Sequence, residues 1–235
     1  MPGQYNGAPG GIVAANLVLA IVCGFVAGVG LWRVDRRLAP RFAESAGFDP
    51  ASVVPNLAIG AYLIPSVPIA VVLLSVRDGI GVRLAYQAVV ATVLLWVASI
   101  DWRWRIIPNR ITYLAVPIAF LPSPLAHSGS ALHAYEFALI GFVTAGGIFA
   151  LFFLLSVLIY HHGGAFGLGD VKLAAFVGVA LGYPAAIAAV FFATFAGALF
   201  ALAWGVAYRS RKAGFPYGPA IAAGAILAML VAPSG

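Results

Sequence analysis

The feature that most constrains this chain is a set of long tracts without a single charged side chain. The longest of them runs from Leu173 to Tyr208. Of the 235 residues, 63% are hydrophobic and 9% are charged, whereas soluble domains carry about a quarter charged residues. A helix that crosses a bilayer needs about 20 apolar residues. The sequence therefore predicts a single all-helical membrane domain over residues 1–235, with the lipid bilayer as its solvent.

The apolar tracts predict about eight transmembrane helices. A single helix from Leu173 to Tyr208 would overshoot a hydrocarbon core about 30 Å thick, because each residue adds about 1.5 Å. Gly182-Tyr183-Pro184 offers a break, so we divide this tract into two spans, the first of them short. The other predicted spans are Ile12–Leu31, one span inside Ala51–Val76, Leu84–Ile100, Ile111–Leu125, Phe137–Tyr160 and Tyr217–Val231.

The positions of the basic residues orient these spans. Eight alternating spans with an external N-terminus place four loops on the cytoplasmic side, where Lys and Arg accumulate. Of the 13 basic residues, only Arg77 and Arg83 then fall outside. The inner loops hold Arg33, Arg36, Arg37, Arg41, Arg103, Arg105, Arg110, Lys172, Arg209, Arg211 and Lys212. The net charge of +6 is thus explained by membrane flanks, and we expect no nucleic-acid partner.

Two regions can be distinguished inside this domain. Residues 1–83 are expected to form N-terminal helices with a basic cytoplasmic loop at 33–55. Residues 84–232 are expected to form the core, with Pro122–Tyr135 as an external loop. Cys23 is the only cysteine and lies in an apolar tract. This excludes an intrachain disulfide and a multi-cysteine zinc site.

Two of the seven carboxylates differ from the rest. Asp101 directly ends the apolar run Leu84–Ile100, and Asp170 stands between a glycine-rich segment and the next apolar run. An acid at the rim of a membrane bundle is costly enough to suggest a function. The alternative is a helix cap or an interfacial charge paired with a neighbouring Arg or Lys. The remaining acids are expected to be solvated in loops or at span ends: Asp35, Glu44, Asp49, Asp78 and Glu136.

A pair of aspartates suggests a definite chemistry. Two carboxyl groups within a few ångströms cannot both stay ionised, so one of them holds a proton. The ionised group can take a proton from water, and the protonated group can donate to a peptide carbonyl oxygen. This would be acid–base hydrolysis without a covalent intermediate, and it needs no metal and no organic cofactor. No Ser-His-Asp or Cys-His arrangement competes with it.

Three segments, in order, resemble the motifs of the type IV prepilin peptidases. The first is residues 101–109 (DWRWRIIPN), in which an aspartate is followed by a proline and then an acidic or amide residue. The second is residues 167–173 (GLGDVKL), a glycine-x-glycine-aspartate motif with a lysine two places later. The third is residues 215–219 (FPYGP), an aromatic-glycine-proline run that opens the last helix. The resemblance covers the chain from Leu84 to the C-terminus.

The resemblance implies a membrane aspartyl endopeptidase with Asp101 and Asp170 as its catalytic pair. Its substrates would be prepilin or pseudopilin precursors, whose positively charged leader is removed at the cytoplasmic face of a prokaryotic inner membrane. Lys172 is a candidate partner of Asp170, and Asn109 is a candidate helix cap. The residues expected to support the site are Gly167, Gly169, Lys172, Pro108 and Asn109.

The chain also departs from the pattern of that family. Many members carry a cysteine-rich zinc domain after the first helix and also methylate the new N-terminus. The segment 33–55 is short and has no cysteine, so the resemblance is to the compact members. Three alternatives stay open: a bifunctional peptidase and N-methyltransferase, a presenilin-like intramembrane protease, and a proton-coupled transporter. The last would place its acids near the bilayer midplane.

Overall fold

The computed structural model of the protein describes residues 9–45, 47, 61–126, 129–160, 166–208 and 215–231, and every regular element in these ranges is an α-helix. In chain order the helices are α1 (Pro9–Ser45), α2 (Leu63–Asp78), α3 (Val82–Trp104), α4 (Asn109–Phe120), α5 (Ser123–Ala126), α6 (Ala131–Tyr160), α7 (Leu168–Leu181), α8 (Ala185–Tyr208) and α9 (Gly218–Val231). Helices satisfy their backbone polar groups internally, as an apolar solvent requires. The all-helical prediction is confirmed.

Four of the described helices are long and apolar enough to cross a membrane. These spans are Ala14–Ser45, Val82–Trp104, Ala131–Ile159 and Ala185–Ala203, on α1, α3, α6 and α8. The apolar helices α7 and α9 have 14 residues each. Each therefore measures about 21 Å, which is less than the ~30 Å hydrocarbon core. The break predicted at Gly182-Tyr183-Pro184 is confirmed, because α7 ends directly before it and α8 begins directly after it.

Helix α1 is longer than predicted. It continues beyond the span Ile12–Leu31 through the basic segment to Ser45, so the loop predicted at 33–55 is wrong for residues 33–45. Residues 46 and 48–55 lie outside the described ranges. Ala39 and Ala43 are buried against α3, which gives this part of the helix a packed face. The arginines do not end the helix, since arginine is a good helix former.

Two other boundaries differ from the prediction. Helix α3 runs to Trp104, so Asp101 lies inside its last turn and not after its end. The predicted external loop Pro122–Tyr135 contains the short helix α5 and the start of α6. Residues 127–128 of that segment are outside the described ranges. At the end of α3 and in the segment Pro122–Tyr135, residues that were expected to lie outside the helices are therefore helical.

Glycines allow the helices to approach closely at two crossings. A Cβ atom added at Gly28 of α1 would lie 2.7 Å from the carbonyl oxygen of Leu63 in α2. Gly141 of α6 faces Gly178 of α7, and a Cβ on either would collide with the carbonyl oxygen of the other. Small residues commonly form such contacts between membrane helices.

Helix α7 lies in the centre of the bundle. Its residues are buried from Leu173 to Leu181, and α4, α6, α8 and α9 pack around it. Helix α9 in turn contacts both α3 and α7. The fold therefore brings the start of α9 to the two helices that carry Asp101 and Asp170.

Candidate active site

Asp101 is held at the end of α3 by the backbone of another helix. Its side chain is buried, with 5% of its surface exposed. The Gly218 N–H, at the start of α9, donates to Asp101 Oδ2 over 2.7 Å. Helix N-termini bind anions because their first N–H groups have no partner within the helix. Arg105 directly follows α3 and is a non-glycine residue in the left-handed region with φ 53°; its N–H donates to the carbonyl oxygen of Asp101 over 2.8 Å.

Asp170 is fixed by the first turn of its own helix. It is the third residue of α7, and 8% of its surface is exposed. The Gly167 N–H donates to Asp170 Oδ2 over 2.9 Å. An acidic side chain at this position accepts from the residue that precedes the helix, as in a capping box. Gly167 thus contributes a backbone donor to the site.

Both aspartates lie on helices that α9 contacts, Asp101 on α3 and Asp170 on α7. Each carboxylate has one backbone N–H donor, and in the described ranges no salt bridge to either one is present. In the same ranges no group of three or more His, Cys, Asp or Glu is placed to hold a metal ion. The arrangement is that of two buried carboxyl groups, each with one backbone N–H donor.

The third motif contributes to the site directly. Tyr217 is buried, packs edge-on against Phe166 and Phe149, and points its hydroxyl at the Ala193 carbonyl oxygen, 3.3 Å away. This packing fixes the chain just before the Gly218 donor. A Cβ added at Gly218 would lie 2.8 Å from Asp101 Oδ2, so glycine is required for this approach. The sequence pointed to residues 215–219 as a motif but did not identify Gly218 as a site residue.

Lys172 and Asn109, expected to support the site, are bonded to each other. Lys172 Nζ donates to Asn109 Oδ1 over 2.9 Å and lies 5.0 Å from the centroid of the Tyr113 ring. The expectation that Lys172 pairs with Asp170 is therefore wrong. Asn109 is the first residue of α4 and its side chain does not cap the helix. The contact ties the start of α4 to the first turn of α7.

Gly169 and Pro108 meet at the same junction of α4 with α7. A Cβ added at Gly169 would lie 2.9 Å from Ile107 Cβ, so this glycine lets the segment before α4 pass close to Asp170. Pro108 precedes α4 with an extended backbone, and its carbonyl oxygen accepts from the Ile111 and Thr112 N–H groups. All the predicted support residues thus lie at the first turn of α7 or at the start of α4.

Asp35 was predicted to be solvated, and that prediction is wrong. Its side chain is fully buried, with 0% exposed, and it forms a salt bridge of 2.7 Å with Arg103. The sequence left open an ion pair between Asp101 and a neighbouring Arg or Lys, but the side chain of Arg103 bonds to Asp35 instead. The burial of Asp35 could have been predicted from its spacing, because it lies four residues before Ala39 and eight before Ala43. These positions share one helix face, provided that α1 continues past the arginines.

An apolar groove of about 530 Å³ reaches the surface between α2, α3 and α9. It begins close to Asp101, since Ala98 lies three residues before Asp101 and Pro219 directly follows Gly218. Tyr62 is among the lining residues, and its hydroxyl is used in a hydrogen bond of 2.8 Å to the Leu95 carbonyl oxygen. The groove is lined by Tyr62, Leu73, Leu95, Ala98, Trp102, Pro219, Ala222, Ala223, Ile226, Leu227 and Leu230.

The fold and the site define a class: a helical membrane protein with a pair of buried, backbone-bonded aspartates. Residues 88–202 match the model of the type IV leader peptidase family. A prepilin leader peptidase/N-methyltransferase of Bacillus subtilis (strain 168) is 37% identical to the chain over 160 residues. Through this segment the chain is similar to the type IV leader peptidase family. The resemblance noted in the sequence is thereby confirmed.

The extent of the match differs between the two proteins. The aligned stretch covers 68% of this chain and 60% of the Bacillus subtilis relative, so the chain spans less than two thirds of that relative's length. No solved structure matches the chain. The family match includes Asp101 and Asp170 but ends before Gly218 and begins after Asp35.

Proposed function

We propose that this protein is a membrane-embedded aspartyl endopeptidase that removes the leader peptide of type IV prepilin-like or pseudopilin precursors. The observation that carries the proposal is that Asp101 and Asp170 are both buried, each with one backbone N–H donor, on two helices that α9 contacts. Both aspartates lie within the residues that match the leader peptidase family. The family supports the type of substrate, and the two carboxyl groups support the type of chemistry.

In the proposed reaction the two carboxyl groups share one proton. The ionised group removes a proton from a water molecule, whose oxygen attacks the carbonyl carbon of the scissile peptide. The protonated group donates to the carbonyl oxygen, and the tetrahedral intermediate then collapses as a proton passes to the leaving nitrogen. The Gly218 and Gly167 N–H groups keep the carboxylates in place throughout. No residue is covalently modified, and neither a metal nor an organic cofactor takes part.

The groove between α2, α3 and α9 is the proposed path of the substrate. A precursor with one apolar helix would reach it laterally from the lipid, because its lining is almost entirely apolar. Ala98 and Pro219 lead from the groove to the residues that hold Asp101. The scissile bond would then lie beside the aspartates, with the basic leader in the cytoplasm.

The proposed topology has about eight spans with an external N-terminus, in the cytoplasmic membrane of a prokaryote. Asp101 at the end of α3 and Asp170 at the start of α7 then both face the cytoplasmic side. The distribution of basic residues supports this orientation. The position of both acids at helix ends also counts against a proton-coupled transporter, whose acids would lie near the midplane. A presenilin-like protease would need a tyrosine beside its first aspartate, and Asp101 is flanked by Ile100 and Trp102.

The second candidate function is methyl transfer to the new N-terminus. It is favoured by one observation, the name of the Bacillus subtilis relative, which includes N-methyltransferase. One assay distinguishes the two candidate functions, because methylation adds mass to the mature product whereas cleavage alone does not.

The proposal is tested with the purified full-length chain in liposomes and a precursor that has a basic leader followed by one apolar helix. Mass spectrometry of the products should give a leader and a mature helix separated by a single cut between them. A parallel preparation from cells without the gene controls for host peptidases. Absence of this cut with several such precursors would contradict the proposed function.

A further inference from the structure

A second pair of charged side chains is buried beside the proposed catalytic aspartate. Arg103 lies two residues after Asp101 in the last turn of α3, and Asp35 lies on α1. Arg103 Nη2 donates to Asp35 Oδ1 over 2.7 Å, and both side chains have 0% of their surface exposed. Neither residue has a role in the proton transfers proposed above.

Asp35 holds two turns of α3 at once. Trp96 Nε1 donates to Asp35 Oδ1 over 3.0 Å, and Arg103 Nη2 donates to the same oxygen. Positions 96 and 103 are two turns apart and therefore lie on the same face of α3. Arg103 is also fastened to its own helix, because Nε donates to the Ser99 carbonyl oxygen over 2.9 Å and Nη2 lies 3.0 Å from Ser99 Oγ.

Asp101 projects from a different face of the same turn. Two residues along an α-helix differ by about 200° in direction, so Asp101 points away from the face held by Arg103. On that other side it accepts from Gly218. The end of α3 is thus held between α1 and α9. The contact of Arg103 with Asp35 and the contact of Asp101 with Gly218 together fix the position of the Asp101 carboxylate. Helix ends otherwise fray.

Stability alone is a poor reason for this ion pair. Removing two charges from water is costly, and a buried ion pair can often be replaced by apolar residues without loss of stability. Among the described residues, Asp35 Oδ2 and Arg103 Nη1 are buried without a hydrogen-bond partner, so the desolvation cost is only partly offset. What the pair does provide is a single fixed geometry for the end of α3.

We propose that Asp35 and Arg103 form a positioning pair that holds the Asp101 carboxylate at the Gly218 N–H. The inference rests on the proposed function, because it assigns the pair a role in the same reaction. Asp35 lies outside residues 88–202, so the family match assigns it nothing. Both are positioning residues and not catalytic ones, since they act on α3 and not on the substrate.

The test compares single and double substitutions of the pair. Asp35→Asn and Arg103→Met each leave one buried group unpaired, and they should lower the melting temperature. The double variant Asp35→Leu/Arg103→Met removes both charges and should recover much of the loss, the remaining cost being the Trp96 Nε1 donor that loses its acceptor. Its kcat, measured per folded molecule, should nevertheless remain about tenfold or more below that of the wild type, with KM unchanged, because a small misplacement of a reacting group is costly. Recovery of kcat together with stability would overturn the proposal.

Arg103→Lys gives a second measurement. Lysine keeps the charge but cannot form the fork of contacts to Asp35 and Ser99. This variant should melt close to the wild type and yet have a lower kcat. Arg37→Lys, on the exposed face of α1, is the matched control and should behave as the wild type. A folded Arg103→Lys protein with full kcat would count against the positioning role.

Amide hydrogen exchange tests the placement without any substrate. In the double variant, exchange over residues 99–105 should become faster, while exchange in α6 should not change. Unchanged exchange at 99–105 would refute the proposal even if activity fell. A wild-type protein that cleaves no precursor would contradict the proposed function, whereas a fully active double variant would contradict only the positioning pair.

Discussion

At the scale of the residue, the two aspartates are each held by one backbone N–H. Asp101 accepts from Gly218 and Asp170 accepts from Gly167. A lysine or arginine salt bridge would favour the ionised form of each carboxyl group strongly. Single backbone donors orient the carboxylates and still allow one of the two groups to hold a proton. This is the condition that the proposed acid–base chemistry requires.

Gly218→Ala should lower the rate of cleavage with little loss of fold. The added methyl group would lie 2.8 Å from Asp101 Oδ2 and displace the carboxylate. We expect kcat to fall by at least about tenfold, which corresponds to roughly 1.4 kcal/mol of transition-state stabilisation. Gly147→Ala is the control, because a Cβ there meets no atom within 4 Å. Equal activity of the two variants would show that Gly218 does not set the position of Asp101.

The hydrogen bond between Lys172 and Asn109 should contribute to cleavage activity only when both side chains are present. Lys172→Met and Asn109→Leu each remove the same hydrogen bond, so the double variant should lose no more activity than either single variant. Asn109→Asp keeps an acceptor for Lys172 and should remain active. The measurement is kcat of the four proteins in the same cleavage assay. Additive losses in the double variant would mean that the two side chains act separately.

Much of the site could be predicted at this scale, and the failures have a physical cause. Asp101, Asp170 and the glycines beside Asp170 stand out because charge and glycine are conspicuous among apolar residues. Gly218 acts through its backbone N–H, which every residue except proline has. The residue type therefore does not indicate this role. Lys172 was assigned to the nearest carboxylate in sequence, but its long side chain reaches Asn109 on another helix.

At the scale of the element, the helices end where packing ends and not where charge begins. Helix α1 passes the cluster of arginines because Asp35, Ala39 and Ala43 continue to pack against α3. Helix α3 similarly includes Asp101 in its last turn. Hydropathy reports which residues meet lipid, so it predicted the apolar spans and the break after α7. It does not report which polar residues are buried between helices.

The groove between α2, α3 and α9 predicts a substitution that should affect binding. Ala223 lines the groove and is exposed, so Ala223→Trp would fill it without disturbing the core. KM for a full precursor should rise by at least about fivefold, or roughly 1 kcal/mol. Cleavage of a short peptide that lacks the apolar helix should be unaffected.

The control for this experiment is Ala198→Trp, at an exposed position of α8 that does not line the groove. It places the same bulk on the surface of the protein and should leave KM at the wild-type value. Equal effects of the two tryptophans would exclude the groove as the path of the substrate.

At the scale of the whole molecule, the central helix α7 has 14 residues, whereas α6 and α8 beside it have 30 and 24. Helix α7 is surrounded by α4, α6, α8 and α9, and its first turn carries Asp170. The charge distribution along the sequence predicts which membrane face carries the aspartates. It cannot predict that α9 lies against both α3 and α7, because that arrangement depends on contacts such as those of Tyr217 and Gly218.

The proposed topology predicts the accessibility of two positions on opposite faces. In a Cys23→Ser background, Ser45→Cys at the end of α1 should react with a membrane-impermeant maleimide only after the cells are opened. Glu136→Cys near the start of α6 should react in intact spheroplasts, since its side chain is about 60% exposed. Labelling of both positions from the same side would contradict the orientation.

The most direct test of the central claim is the cleavage activity of Asp101→Asn and Asp170→Asn in liposomes, with the unrelated acid variant Glu136→Gln as the control. Each asparagine keeps the size of the side chain but can neither accept the proton of water nor donate an acidic one. We predict that kcat falls by at least about a hundredfold in both variants and stays at the wild-type value in the control. Normal cleavage by a folded protein with either asparagine would contradict the account.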